Sequence, residues 1–152
     1  TRKMNSADIP AVLRIQGELA FQDWNERQYE IEIKAPYTYA VVYENDGDIT
    51  GYAVFHLLGP DSELLSIAVR DSAQHNGIGG KLLQAGLSQL DLEKTDCCFL
   101  EVRETNLKAR RFYEKHGFTL FGIRKKYYAD GENAALYRTE KRSDIDPSRK
   151  GV

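Results

Sequence analysis

The stretch Gln74–His75–Asn76–Gly77–Ile78–Gly79–Gly80–Lys81 lies between an apolar run, Leu64–Leu65–Ser66–Ile67–Ala68–Val69, and a helix-like run from Lys81 to about Asp91. A strand, a glycine-rich turn and a helix start form one of the few short patterns with a physical use built in. Backbone N–H groups point outward at the turn, and the unpaired amides of the first helical turn add a partial positive charge. Such a place holds phosphate. The rest of the chain is expected to bring a second substrate to the phosphorylated ligand held there.

The 152 residues are read as one domain over 1–140 followed by a polar tail, 141–152, that carries Pro147. Apolar residues make up 41% and charged residues 29%, which fits a globular chain. No apolar run approaches the ~20 residues needed to cross a bilayer, so no membrane partner is expected. Thr1 is not an initiator, so residues are expected to be missing at the front; the start has no apolar signal core. A net charge of −2 argues against nucleic-acid binding. Cys97 and Cys98 are adjacent and have nothing else to pair with, pointing to a reducing, cytoplasmic setting. His56, His75 and His116 are scattered and make no metal cluster.

Taken in order, Ser6 reads as the cap of a first helix with Pro10 in its first turn, Ile9, Val12, Leu13 and Gln16 on one face, and Gly17 loosening the end. Phe21–Trp24 is an aromatic-bearing loop. Asn25, with Gln28 three residues on, caps a second helix that runs to about Lys34 before Pro36. Glu18, Asp23, Glu26, Glu30 and Glu32 oppose one base, Arg27; they form either a solvated face or an acidic lip for a cationic substrate. Strands are expected at Thr38–Glu44 and Ile49–Leu58 around the turn Asn45–Asp48, with His56 a satisfied strand residue, and again at Glu63–Val69.

After the glycine stretch, Ile78, Leu82, Leu83, Gly86, Leu87 and Leu90 recur at helical spacing. Cys97–Arg103 is then a strand parallel to Glu63–Val69, because a helical crossover joins them. Asn106–His116 reads as a helix ended by Gly117, with His116 as a favourable cation or dipole partner at that end. Phe118–Lys126 and Ala134–Glu140 are the last strands, around a loop at Asp130–Gly131. The expected class is α/β (α+β), with a mixed, mostly antiparallel twisted sheet of six to seven strands and about four helices.

Two familiar glycine loops fail on specific residues. A P-loop needs a Ser or Thr after Gly80–Lys81, and Leu82 stands there; a dinucleotide fingerprint needs a third glycine at the same position. What remains, Gln-x-x-Gly-x-Gly, resembles the acyl-coenzyme A site of the GNAT superfamily of N-acetyltransferases. Downstream, Phe99–Arg103 followed by Asn106 and Ala109, then Phe112–Phe118, resembles the second half of that core. With Ile67–Ala68–Val69, Arg124–Tyr128 and Asp130–Gly131, it is similar to the ribosomal-protein-alanine (RimI-type) subgroup. The sequence departs at Arg70–Asp71, where Asp-Pro is usual, and at His75, where arginine is usual.

The resemblance implies a GNAT fold, acetyl-CoA as cosubstrate and no metal. It implies that Gln74, His75, Asn76, Gly77, Ile78, Gly79, Gly80 and Lys81 hold the pyrophosphate, that Ile67, Ala68 and Val69 pair with pantetheine, and that Asn106 meets the pantetheine amides. Strand alternation puts Glu101 on one face with Phe99 and Arg103, where it would either serve as general base or pair with Arg103 in a structural role. Tyr113 would be general acid toward the departing sulfur and would touch the cofactor. Phe21, Trp24, Tyr127 and Tyr128, with Glu101, would frame the acceptor: a peptide or protein N-terminus such as that of a ribosomal protein. A lysine side chain or small amine stays open as acceptor, as does a non-catalytic coenzyme A-binding module. A monomer or weak dimer is expected.

Overall fold

A computed structural model describes residues 1–19 and 24–139. In chain order it contains β1 (Arg2–Lys3), α1 (Ile9–Leu19), α2 (Glu26–Lys34), β2 (Thr38–Asn45), β3 (Asp48–His56), β4 (Ser62–Val69), α3 (Ile78–Leu87), β5 (Cys98–Arg103), α4 (Leu107–Lys115), β6 (Phe118–Arg124) and β7 (Ala134–Thr139). The strands follow the order β1-β2-β3-β4-β5-β7-β6 in one mixed sheet. The described chain divides into two compact units, one holding Thr1–Leu58 and Leu64–Gln89, the other Gly59–Glu63 and the chain from Leu90 onward.

In the first unit, β2 and β3 form the expected hairpin, antiparallel from Thr38↔His56 to Asn45↔Asp48. Asp46 and Gly47 take positive φ at its tip, the geometry a two-residue hairpin turn requires. The core gathers Ile9, Val12, Ile15, Tyr29, Val42, Tyr52 and Val54. Inside it, the Tyr29 hydroxyl donates to Gln16 Oε1 at 2.6 Å, and Gln16 Nε2 donates to the Trp24 carbonyl at 2.8 Å. Asn25 and Gln28 make the capping box expected for α2.

Several local expectations need correction. Asn5, not Ser6, caps the first helical segment: its side chain accepts from Ala7 N, and Asp8 accepts from Asn5 N at 2.8 Å. The box needs an acid three residues on, which Asn5 has in Asp8; the Ser6 hydroxyl donates instead to Glu30. A 3₁₀ turn precedes α1, and α1 passes Gly17 without ending there. Strand β1 carries no sequence signal because two residues have no period; it pairs Arg2 and Lys3 with Val42 and Val41. Glu30 and Glu32 are not a bare acidic face, since Glu32 meets Thr38 and His56, and Glu18 lies 3.7 Å from Arg70. His56 is thereby satisfied, as expected.

Helix α3 starts at Ile78 rather than Lys81 and ends at Leu87, short of Leu90 and Asp91. Gly77, in the left-handed region at φ 77°, begins it, so the second and third glycines of the motif are already helical. Gly86 meets the ring of Phe55 so closely that a Cβ there would lie 2.2 Å from it.

In the second unit, β5–β7–β6 is an antiparallel ladder running from Phe99↔Arg138 to Arg103↔Ala134 and from Phe118↔Thr139 to Arg124↔Ala134. β6 ends at Arg124, not Lys126, which takes positive φ. β4 and β5 are parallel, as the crossover rule required, over Ser62↔Cys98 and Glu63↔Phe99. Gly117 at φ 92° ends α4 as expected. His116 does not behave as a helix-end cation: burial, with Lys115 beside it, lowers its pKa and favours the neutral ring, which packs on Phe112.

Candidate active site

The glycine stretch of the first unit is prepared for an anion by its backbone. Asp71–Ala73 makes one 3₁₀ turn, after which Gln74 folds back, its amide donating to the Val69 carbonyl at 2.9 Å. His75 and Gly77 both take left-handed φ, and Asn76 Nδ2 donates to the Ala73 carbonyl. No side chain caps α3 at Gly77, which leaves its first-turn amides for a ligand. Lys81 supplies exposed positive charge, its ammonium 5.5 Å from the centre of the Tyr43 ring. This arrangement of free first-turn amides beside a lysine suits an anion. Ile67, Ala68 and Val69 form the end of β4, with Ala68 buried between half-buried neighbours.

The second unit gathers the titratable groups. β5 alternates as its sequence predicts: Cys98, Leu100 and Val102 are buried, while Phe99, Glu101 and Arg103 face the other way, with Glu101 exposed. The Glu101 carboxylate acts on the neighbouring Tyr127 phenol and is the main reason the Tyr127 pKa is raised. Glu101 is not paired with Arg103. Instead, Arg103 donates to Asp130 at 2.9 Å and Glu132 at 2.7 Å, and its guanidinium lies 4.1 Å from the centre of the Tyr128 ring. Tyr128 stands edge-on to Tyr127 at 5.1 Å. Glu132 also accepts from Thr105, and its own amide donates to Asp130. The β6–β7 loop is therefore strapped to the end of β5, and this strap aims Tyr127 at Glu101.

Tyr113 is buried among Phe112, Phe118 and Tyr137, whose ring centroids lie within 6.4 Å of its own. Burial above all, then the neighbouring Tyr128 and Cys98, pushes its phenol above the usual tyrosine range, so it stays protonated and able to donate. Its helix is pinned to β7 by Tyr137, whose hydroxyl donates to Glu114 at 2.6 Å and accepts from Arg110 at 2.9 Å. Asn106 caps α4 through its side-chain oxygen, which accepts from Ala109 N at 3.2 Å.

The residues expected to meet the acceptor fall in different settings. Tyr127 and Tyr128 stand beside Glu101, as above. Trp24 is half-buried against Tyr29 in the first unit, ring centroids 5.2 Å apart, so much of its face is used in packing. Phe21 lies outside the described residues. Among the described residues, no group of His, Cys, Asp and Glu could hold a metal.

Sequence reasoning missed two features. The Arg103 strap joins residues 27 to 29 positions apart, beyond any local pattern. The other is a cavity of about 340 Å³ lined by Asp61, Glu63, Phe99, Phe121, Arg124 and Leu136, with Glu101 on its wall. The one available signal was the apolar content of β6, where Leu120, Phe121 and Ile123 remain open to solvent.

The profile of the acetyltransferase (GNAT) family matches residues 9–118. An uncharacterized N-acetyltransferase of Methanocaldococcus jannaschii is 33% identical over 99% of this chain and 94% of its own length. The ribosomal protein bS18-alanine N-acetyltransferase of Haemophilus ducreyi is 33% identical over 76% of this chain and 92% of its own. The crystal structure of the ribosomal-protein-S18-alanine N-acetyltransferase from Escherichia coli superposes with a TM-score of 0.81 over 99% of this chain and 97% of that one; at 23% identity this is a likeness of fold.

Proposed function

The chain belongs to the acetyltransferase (GNAT) family, and on that premise we propose that it acetylates the N-terminal α-amino group of a protein, specifically a ribosomal protein that begins with alanine. Family membership makes it an acetyl-CoA-dependent N-acetyltransferase; the acceptor is the inference. It is supported by the relative of Haemophilus ducreyi, whose name specifies ribosomal protein bS18-alanine. The observation that carries the reading is Glu101, an exposed carboxylate on β5 beside the Tyr127 phenol, whose pKa it raises.

In this reading Glu101 takes the proton that an α-amino group must lose, directly or through one water. An α-amino group has a pKa near ~8, against ~10.4 for lysine, so a carboxylate has far less to do for the former at neutral pH. The C–N bond forms as the C–S bond breaks, and the amide N–H of Ile67 or Ala68 would polarise the carbonyl. Tyr113 would donate toward the departing sulfur. Because burial raises its pKa, and a thiol ionises near ~8.5, its contribution is a hydrogen bond to developing charge rather than complete ionisation of the phenol. The amides that open α3, with Gln74–Lys81, would hold the pyrophosphate. Two buried cysteines with free thiols fit a reducing cytoplasm.

The test is incubation with acetyl-CoA and peptides starting with Ala or Ser, followed by thiol release and mass spectrometry. Acetylation of the α-amino group is expected. Modification of lysine side chains alone would refute the acceptor assignment.

A further inference from the structure

Glu101 has two neighbours on its face of β5, Phe99 and Arg103. The Arg103 side is closed, because its guanidinium is covered by Tyr128 and bonded to Asp130 and Glu132. The Phe99 side is open: beyond Glu101 the face continues into the cavity of about 340 Å³. Its floor is apolar. Phe99 meets Phe121 edge-to-face at 5.7 Å, and Leu136 lies between their strands in the ladder. Phe121 is 47% exposed. Its outer face is flanked by Arg138, 5.4 Å from the ring centre. Asp61, Glu63 and Arg124 also line the cavity, so the surface it offers to an apolar side chain is that of Phe99, Phe121 and Leu136.

We propose that this cavity is a side-chain subsite for the third residue of the acceptor chain and selects a large apolar or aromatic side chain there. The inference rests on the proposed N-terminal acetylation, which puts the acceptor nitrogen at Glu101. From that point an extended chain that follows β5 away from the covered Arg103 runs toward Phe99. At ~3.3 Å per residue, the two-residue step from Glu101 to Phe99 matches the step from the first to the third acceptor residue. Alternation turns those two residues to the same side, toward the sheet. The volume is at the small end of ligand pockets, which run from ~300 to ~1,000 Å³, and suits one large side chain rather than a free metabolite. The occupant is therefore part of the acceptor polypeptide itself.

The test compares kcat/KM for two otherwise identical alanine-initial peptides, one with Phe and one with Gly at the third position. The wild-type protein is expected to favour Phe by about tenfold or more, the effect of burying a large apolar side chain. In Phe121→Ala the ratio should fall below about threefold, and Phe121→Leu should restore part of it; the exposed position of Phe121 on β6 makes both variants safe for folding. Equal rates on the two peptides in the wild type, or an unchanged ratio in Phe121→Ala, would overturn the subsite. Failure to acetylate the α-amino group of any peptide would instead refute the parent reading.

Discussion

The Glu101 carboxylate, on the exposed face of β5, is the main influence that raises the pKa of the Tyr127 phenol in the β6–β7 loop. An amine that approaches Glu101 therefore meets the Tyr127 phenol beside it. Tyr127 is 42% exposed, whereas Tyr128 lies under the Arg103 guanidinium. One tyrosine of the pair is covered and the other is open to solvent.

Removing the carboxylate isolates its part in proton transfer. Glu101→Gln should lower kcat/KM for a peptide acceptor about 10²-fold at pH 7, within the range typical of general-base catalysis. The deficit should narrow above about pH 8, where a free α-amino group has lost its proton unaided. Initial rates of thiol release across pH 6–9 check this. A deficit of constant size at every pH would assign Glu101 a structural role.

Tyr113→Phe keeps the ring that packs against Phe118 and Tyr137 and removes only the donor. Turnover is expected to fall by about 10² while the Kd for acetyl-CoA changes little, and stability should shift by less than ~1.5 kcal/mol. Single-turnover kinetics beside calorimetric binding separate the two effects. Equal turnover would remove Tyr113 from the chemistry.

Asp8 links acidity to stability. The Arg2 guanidinium donates twice to its carboxylate at 2.8 Å and, with the Asn5 amide, holds its pKa below the usual range. A depressed folded-state pKa contributes stability that is complete above the unfolded value of ~3.9 and is lost as pH falls through the folded value. Arg2 is partly solvated, its side chain 37% exposed, so screening discounts the pair. Asp8→Asn is expected to cost about 1–2 kcal/mol at pH 7, and the difference from wild type should shrink below about pH 4. Urea unfolding at pH 7 and pH 3 measures both. A difference unchanged between them would rule out the ionic contribution.

Gly86→Ala tests the packing of α3 on β3. The added Cβ would lie 2.2 Å from the fully buried Phe55 ring, so the helix or the ring must move. The expected cost is about 1–3 kcal/mol despite alanine's better helix propensity. A urea midpoint equal to or above that of the wild type would mean that the core yields more easily than this geometry implies.

Local chemistry in the sequence already determined much of this protein. Asn25 with Gln28, the Asn45–Asp48 turn, Gly117 and the period-two burial of Cys98–Arg103 each act through neighbours one to four residues away, so their outcomes were legible. The parallel sense of β4 and β5 also followed, because a helical crossover admits it. The family, too, was written in spacing: glycines before a helix, then Glu101, Asn106 and Tyr113.

Tertiary structure decided the partners. The sequence offered Arg103 as the natural mate of Glu101, two residues away on the same strand face. Folding gave Arg103 to Asp130 and Glu132, and set Glu101 beside the Tyr127 phenol. It likewise gave the Ser6 hydroxyl to Glu30, 24 residues away. Charge and hydroxyl pairing is settled by which side chains arrive from distant strands, and no local period records that. Burial is a property of the same assembled packing, which is why only the fold lifts the Tyr113 phenol above the usual tyrosine range and disfavours the charged form of His116.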